Sequence, residues 1–223
     1  MNTKRIFFWA VFLIVLALIL WGLVVAMNKP ANTSDLNLGS PAPISATDHV
    51  RGPADAPVTM IEYSDFQCPA CEAYYPMVTK LLSDSASSST STPIRFVYRH
   101  FPLPQHPNAI PAAVAAEAAG AQGKFWEMYD LLFTNHTDWT ELSDPTSVFM
   151  GYAAQLHLDA VEFKTDLASS TLKSVIQTDL AEGQSLGIDA TPTFFLNGKA
   201  VSNPSSYDQF KSLVQAAAAG GTR

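Results

Sequence analysis

Cys68 and Cys71 are the only cysteines in 223 residues, and they stand three apart in Cys68-Pro69-Ala70-Cys71. Two cysteines placed at random would fall at that separation about once in a hundred times. The spacing suits thiol–disulfide exchange, in which a thiolate attacks a disulfide sulfur and a second thiol one helical turn away resolves the mixed disulfide. Other chemistries compete. A structural disulfide closing so small a loop adds little stability. A zinc ribbon needs four ligands and usually a second C-x-x-C, which is absent. Two thiolates joined by any of the five histidines remain a metal-site alternative.

The elements around the pair place it. Val58 to Tyr63 reads as a strand, with apolar Val58, Met60 and Ile61, β-branched Thr59 and aromatic Tyr63. Pro69 is the residue best tolerated in the first turn of a helix. The run to Leu82 is helical, with Met77, Val78, Leu81 and Leu82 on one side. Cys68 therefore belongs at a strand-to-helix junction, where unpaired N–H groups and the positive end of the macrodipole favour a thiolate. Cys71 lies one turn further in, within reach of a mixed disulfide on Cys68.

The net charge of −7 argues against a nucleic-acid partner. Residues 1–5 carry Lys4 and Arg5, and Ile6 to Met27 follows without a charge. At about 1.5 Å per residue that stretch spans a bilayer core. Trp9 and Trp21 lie near its ends, as interfacial aromatics do. Positive charge before the span puts residues 1–5 in the cytoplasm and the rest outside. A cleaved signal ending at Val24-Val25-Ala26 is the rival, but the apolar run exceeds the usual h-region and favours an uncleaved anchor. Both readings put the remaining chain outside the cytoplasm, where a chain with no stray cysteine fits.

Residues 28–47, rich in Asn, Ser, Pro and Ala, read as a flexible tether. One domain follows, 48–223, long enough for a sizeable core. After the cysteine helix, Ser83 to Thr92 reads as a solvated loop and Ile94 to Arg99 as a strand. Phe101 to Pro107 is a proline-rich loop. Helical stretches fill about 108–187: Ala109–Ala121, Lys124–Phe133, a helix to Leu156 capped by Asp144 with Pro145 first, Asp159–Ala168 and Thr171–Leu186. Thr193 to Leu196 is a strand, Asn197-Gly198 a hairpin turn, Lys199 to Val201 its partner and Tyr207 to Ala219 a closing helix. His100 and His106, which flank the proline-rich loop, read as core or loop histidines without a catalytic role.

This order resembles the thioredoxin superfamily, and within it the DsbA-like thiol–disulfide oxidoreductases, over roughly Asp48 to Val214. Cys68-Pro69-Ala70-Cys71 is similar to the redox pair, with Cys68 as exposed nucleophile, Cys71 as buried partner and Cys68–Cys71 as the disulfide. Pro76 stands where such proteins kink the active-site helix. Glu62 matches the buried acidic residue six positions before the first cysteine. Thr191-Pro192 resembles the cis-proline segment, and Lys124 to Phe133 the insert helix of bacterial extracytoplasmic members. The resemblance implies an α/β thioredoxin-like fold with a helical insertion, preceded by one transmembrane helix. An inward Glu62 is a carboxylate with a raised pKa, able to accept the Cys71 proton. A cis Pro192 puts the Thr191 backbone beside Cys68, where an extended substrate pairs.

The implied protein is a membrane-tethered, extracytoplasmic enzyme that introduces disulfides into secreted or cell-envelope proteins. It is a monomer without cofactor or metal, with cysteine-containing clients and a membrane re-oxidising partner of the DsbB or vitamin K epoxide reductase type. Ala70 departs from the pattern, because DsbA has histidine there and a histidine near the thiolate makes the disulfide more oxidising. Thr191 is also common in reducing and isomerising relatives. A reductase or isomerase, or a metal- or protein-binding module of the same fold, stays open as an alternative.

Overall fold

The computed structural model describes residues 38–87 and 92–220, together with Trp9, Phe12, Leu13 and Leu16. The chain divides into two compact units, Met1–Ala31 and Asn32–Arg223. Of the first, the four described residues are helical and expose large apolar side chains. Apart from these four, the apolar stretch Ile6 to Met27 lies outside the described residues. Among the described residues no helix is long and apolar enough to cross a membrane.

The second unit is built on a five-stranded sheet. Its strands are β1 (His49–Arg51), β2 (Val58–Ser64), β3 (Ile94–His100), β4 (Thr193–Leu196) and β5 (Lys199–Val201), in the order β1-β3-β2-β4-β5. Only β2 and β3 run parallel, joined across helix α1 (Pro69–Ser87). The other pairs are antiparallel. Between β3 and β4 lies the expected helical block: α2 (Ala109–Ala121), α3 (Phe125–Thr134), a 3₁₀ turn (His136–Asp138), α4 (Thr146–Gln155), α5 (Ala160–Asp166) and α6 (Ser170–Ser185). Helix α7 (Tyr207–Ala219) closes the chain. The α/β thioredoxin-like arrangement with a helical insertion is the one expected.

Several boundaries differ from the sequence reading. Helix α1 continues to Ser87 through residues read as loop, because Lys80–Asp84 pairs one turn apart and the Ser85 and Ser87 hydroxyls bond back to carbonyls within it. Helix α4 starts at Thr146, one residue beyond Pro145, yet Asp144 still accepts the Thr146 N–H at 2.9 Å. Strand β1 was not expected. Three residues with no alternation pair antiparallel to β3, His49 opposite Tyr98 and Arg51 opposite Phe96.

Side-chain alternation along β2 splits the core. Ile61 and Tyr63 point with Val97 and Phe195 into one cluster, completed by Phe101, Ile188 and Ala200. Leu38 and Ile44, from the segment read as the end of the tether, pack on this cluster. Gly39 N–H donates to Leu186 O, and Ala42 N–H to Glu182. The buried Arg99 guanidinium fastens the same segment: it donates to Asp48, Glu182, Tyr63 Oη and Ala42 O. On the other face of the sheet Met60, Glu62 and Ser64 lie level with Phe96, Tyr98 and His100, their parallel partners.

Candidate active site

The turn between β2 and α1 carries the chemistry. Cys68 N–H donates to Asp65 O at 3.0 Å, and Glu72 N–H donates to Cys68 O at 3.1 Å, so Cys68 sits at the entry of α1. Pro69 and Ala70 are exposed, and Cys71 turns inward. Both cysteines are thiols in this structure. Cys71 is 1% exposed, and Cys68 is 6% exposed, more covered than the exposed nucleophile the resemblance implied. Its cover is the β4 entry: the Thr191–Pro192 bond is cis, and Cys68 Sγ lies 3.6 Å from Thr191 O. Thr191 therefore stands beside the sulfur, with Pro192 next to it in the chain.

The two thiols differ sharply in acidity. A hydrogen bond from the Cys71 thiol leads the effects that lower Cys68 to about 5; burial opposes it, and the Thr191 hydroxyl and the Cys71 and Ala70 amides add to it. Burial raises Cys71 well above an ordinary thiol, helped by its bond to Cys68 and by the nearby charges of Cys68 and Glu62. One thiol is thus held as a thiolate and the other as a protonated reserve.

Glu62 is inward. It pairs with Tyr98 on one side and Phe194 on the other and is 2% exposed. Burial raises it to about 7, against a weaker opposing bond from Ser64. Its Oε2 has no hydrogen-bond partner. The Tyr98 and Tyr129 hydroxyls, pushed up first by burial and then by the charges of Cys71 and Glu62 for Tyr98 and of Glu62 for Tyr129, complete a buried cluster beside Cys71.

Sequence reasoning missed the network that holds the turn. Asp65 accepts from Gln67 N–H at 2.8 Å, Leu103 N–H at 2.9 Å and His106 Nδ1 at 2.6 Å. The Gln67 amide donates to Thr140 O and accepts from Asn108 N–H, which ties the turn to the helical block. The one sequence signal was position, since Asp65 and Gln67 sit in the motif itself. His100 is buried in β3 and donates Nε2–H to Glu117 Oε1 at 2.8 Å, as His49 does. Burial opposes Glu117 ionisation, but the His100 and His49 bonds hold it at about 2. Among the described residues this His49–His100–Glu117 group is the one whose ligand atoms converge as a metal would require, and it contains neither cysteine.

A sequence profile described as thioredoxin matches residues 45–216. The chain belongs to the thioredoxin family. Its solved neighbours include proteins whose names carry DsbA, the type the sequence resembles. BdbD from Bacillus subtilis, in its oxidised form, superposes with a TM-score of 0.69 at 24% identity, covering 82% of this chain and all of that one. The α-DsbA1 of Wolbachia pipientis superposes at 0.67 with 22% identity, covering 79% of this chain and 94% of that one. At these identities the likeness is one of fold. A curated relative, Na(+)/H(+) antiporter NhaA 1 of Salinispora arenicola, is 41% identical over 174 residues, 78% of this chain. The chain spans about a quarter of that antiporter's length, 25%.

Proposed function

We propose that the protein is a membrane-tethered, extracytoplasmic thiol–disulfide oxidoreductase that introduces disulfides into secreted or cell-envelope proteins through Cys68 and Cys71. The observation that carries this reading is the split in acidity across one helical turn, with Cys68 at about 5 and Cys71 driven the other way. In the oxidised enzyme a client thiolate attacks the Cys68 sulfur. The Cys68–Cys71 bond breaks, and Cys71 leaves as a thiolate and takes a proton from Glu62. A second client thiolate then attacks the client sulfur of the mixed disulfide, and Cys68 leaves as its stabilised thiolate. Two electrons pass from the client dithiol to the enzyme pair. Glu62, poised near 7, gives this proton and takes it back on re-oxidation.

Pro69 and Ala70 keep the turn open, and the Thr191 carbonyl beside the cis Pro192 offers an extended client a backbone acceptor. A membrane partner of the DsbB or vitamin K epoxide reductase type re-oxidises the pair, and the enzyme works as a monomer. Trp9, Phe12, Leu13 and Leu16, the described residues of that stretch, are helical and expose apolar side chains. With 6–27 as the anchor, 1–5 lie in the cytoplasm and the thioredoxin domain lies outside.

A glutathione titration of the full chain tests the direction. A reduction potential between about −270 and −120 mV supports the oxidase; a value at or below that of thioredoxin overturns it in favour of a reductase. Cys71→Ala should trap mixed disulfides with client proteins, and Cys68→Ala should not.

A further inference from the structure

Thr191 stands beside Cys68, with Pro192 next to it, and both lie beyond the sheet pairing. Pairing of β4 with β2 stops at Thr193, opposite Tyr63, and pairing with β5 stops at Phe194, opposite Val201. Pro192 has no N–H with which to extend either ladder. The β4–β5 register, continued past the end of β5, brings Asn203 level with Pro192. There a side chain takes over from the backbone: Asn203 Nδ2 donates to Pro192 O at 2.8 Å. The next residue, Pro204, is buried, and its carbonyl accepts from Tyr74 Oη at 2.8 Å. Tyr74 belongs to α1, three residues after Cys71, and its ring centroid lies 5.7 Å from that of Phe194 in β4. Asn203 and Pro204 therefore bridge the helix that carries the thiols and the segment that faces them. The Thr193 hydroxyl ties the same segment to itself, donating to Ala190 O at 2.8 Å. The Thr191 carbonyl and the Pro192 nitrogen share one planar peptide, so a bond that holds Pro192 also limits how that carbonyl turns.

We propose that Asn203 is a positioning residue for client binding: by bonding Pro192 O it fixes the Thr191 carbonyl at Cys68, where the client backbone pairs. This role rests on the exchange reading given above. Asn203 touches neither sulfur and adds no step to the exchange. It presets the edge along which an extended client lies, so that less order has to be imposed when the client binds. Tyr74 supports it from α1, through Pro204.

The test uses the full-length oxidised protein in detergent and a dithiol peptide, whose oxidation gives kcat and KM. Kd is measured on the matching peptide with serine in place of cysteine. Asn203→Leu keeps the size of the side chain and removes the donor. It should raise KM and Kd about fivefold, the factor one neutral hydrogen bond supplies, and move kcat by less than about twofold. In the reduced protein, alkylation of Cys68 by iodoacetamide, which pairs along no strand, should change far less than KM. Asn203→Gln keeps a donor and should lose less than the leucine variant. Tyr74→Phe loosens the loop without removing that donor and should raise KM in the same direction. Unchanged KM and Kd in Asn203→Leu overturn the role and leave exchange standing. Alkylation and peptide oxidation that fall together, with a lower urea midpoint, overturn it as well, because a general loss of structure moves both. Asn203→Gln no better than Asn203→Leu overturns the hydrogen bond as the means. A Kd that rises in Asn203→Leu while the wild type oxidises no peptide supports the positioning role and overturns the exchange reading. Neither binding nor oxidation by the wild type overturns both.

Discussion

Acidifying the reduced protein should switch Cys68 off near pH 5. A free thiol ionises at about 8.5 and is about 3% thiolate at pH 7. At a value of about 5, Cys68 is almost entirely thiolate there. Its folded value is depressed, so thiolate formation stabilises the folded, reduced protein fully above about pH 8.5, and that stabilisation is lost as the pH falls through about 5. The same ionisation changes the proton count of the redox couple. Above about pH 5 reduction takes up one proton with two electrons, so the potential falls by about 30 mV per pH unit; below it two protons enter and the slope is about 59 mV. The assay is the second-order rate of iodoacetamide alkylation of the full chain from pH 3 to 9, with the labelled residue identified by mass spectrometry. Cys68 should be labelled first, along a curve with its midpoint near 5. The Cys71→Ala variant should move that midpoint upward, because the Cys71 thiol is the leading stabiliser. A wild-type midpoint at 8 or above would refute the argument. So would a potential with no change of slope, or labelling of Cys71 first.

Three further outcomes are expected. Glu62 is raised from 4.5 to about 7, so the stability it contributes is fully present below pH 4.5 and lost as the pH rises through 7. Over that window the loss is about 3 kcal/mol by linkage. Urea titrations should show wild type losing that much relative to Glu62→Gln between pH 4.5 and 8, and the variant should re-oxidise more slowly. Ala70→His should lower the Cys68 pKa further and make the disulfide more oxidising in a glutathione titration, since histidine adds a stabiliser of the thiolate. Gly183→Ala should destabilise the domain by about 1–3 kcal/mol in urea. A Cβ there would stand 2.6 Å from the Phe101 ring and 3.2 Å from that of Tyr63, which outweighs the roughly 1 kcal/mol that alanine gains in a helix.

The parts of this protein that sequence reveals are those whose meaning is local. A proline after the first cysteine, a three-residue separation and a hairpin dipeptide such as Asn197-Gly198 each act over one turn, and the structure places them as read. What stayed hidden joins residues far apart in the chain. Glu117 sits in an alanine-rich helix, and no pattern nearby says that it bridges His49 and His100. Arg99 reads as one more residue of a strand, yet it reaches Asp48, Ala42 and Glu182 and fastens 38–48 to the domain. Strand β1 exists because β3 offers it an edge, since His49-Val50-Arg51 has no alternation of its own.

The same limit applies to the active site, with a chemical consequence. Spacing puts two thiols one turn apart, and the helix start marks Cys68 as the thiolate, but neither shows how far Cys71 is driven the other way. Depth separates them. Cys68 lies where the amides of Ala70 and Cys71 reach its sulfur, and it ionises easily. Cys71 lies over Glu62 and Tyr98, where burial opposes charge. The charge of Glu62 adds to what burial does to Cys71, and the place of Glu62 beneath that thiol depends on the register of β2 between β3 and β4. A slip of one residue would turn Glu62 away and bring Ile61 or Tyr63 under Cys71. Both thiols would keep their spacing, and the buried acid that serves the resolving one would be gone. The proton reserve beside Cys71 is therefore a property of strand pairing, while the asymmetry of the two thiols comes first from the burial of Cys71 and its bond to Cys68.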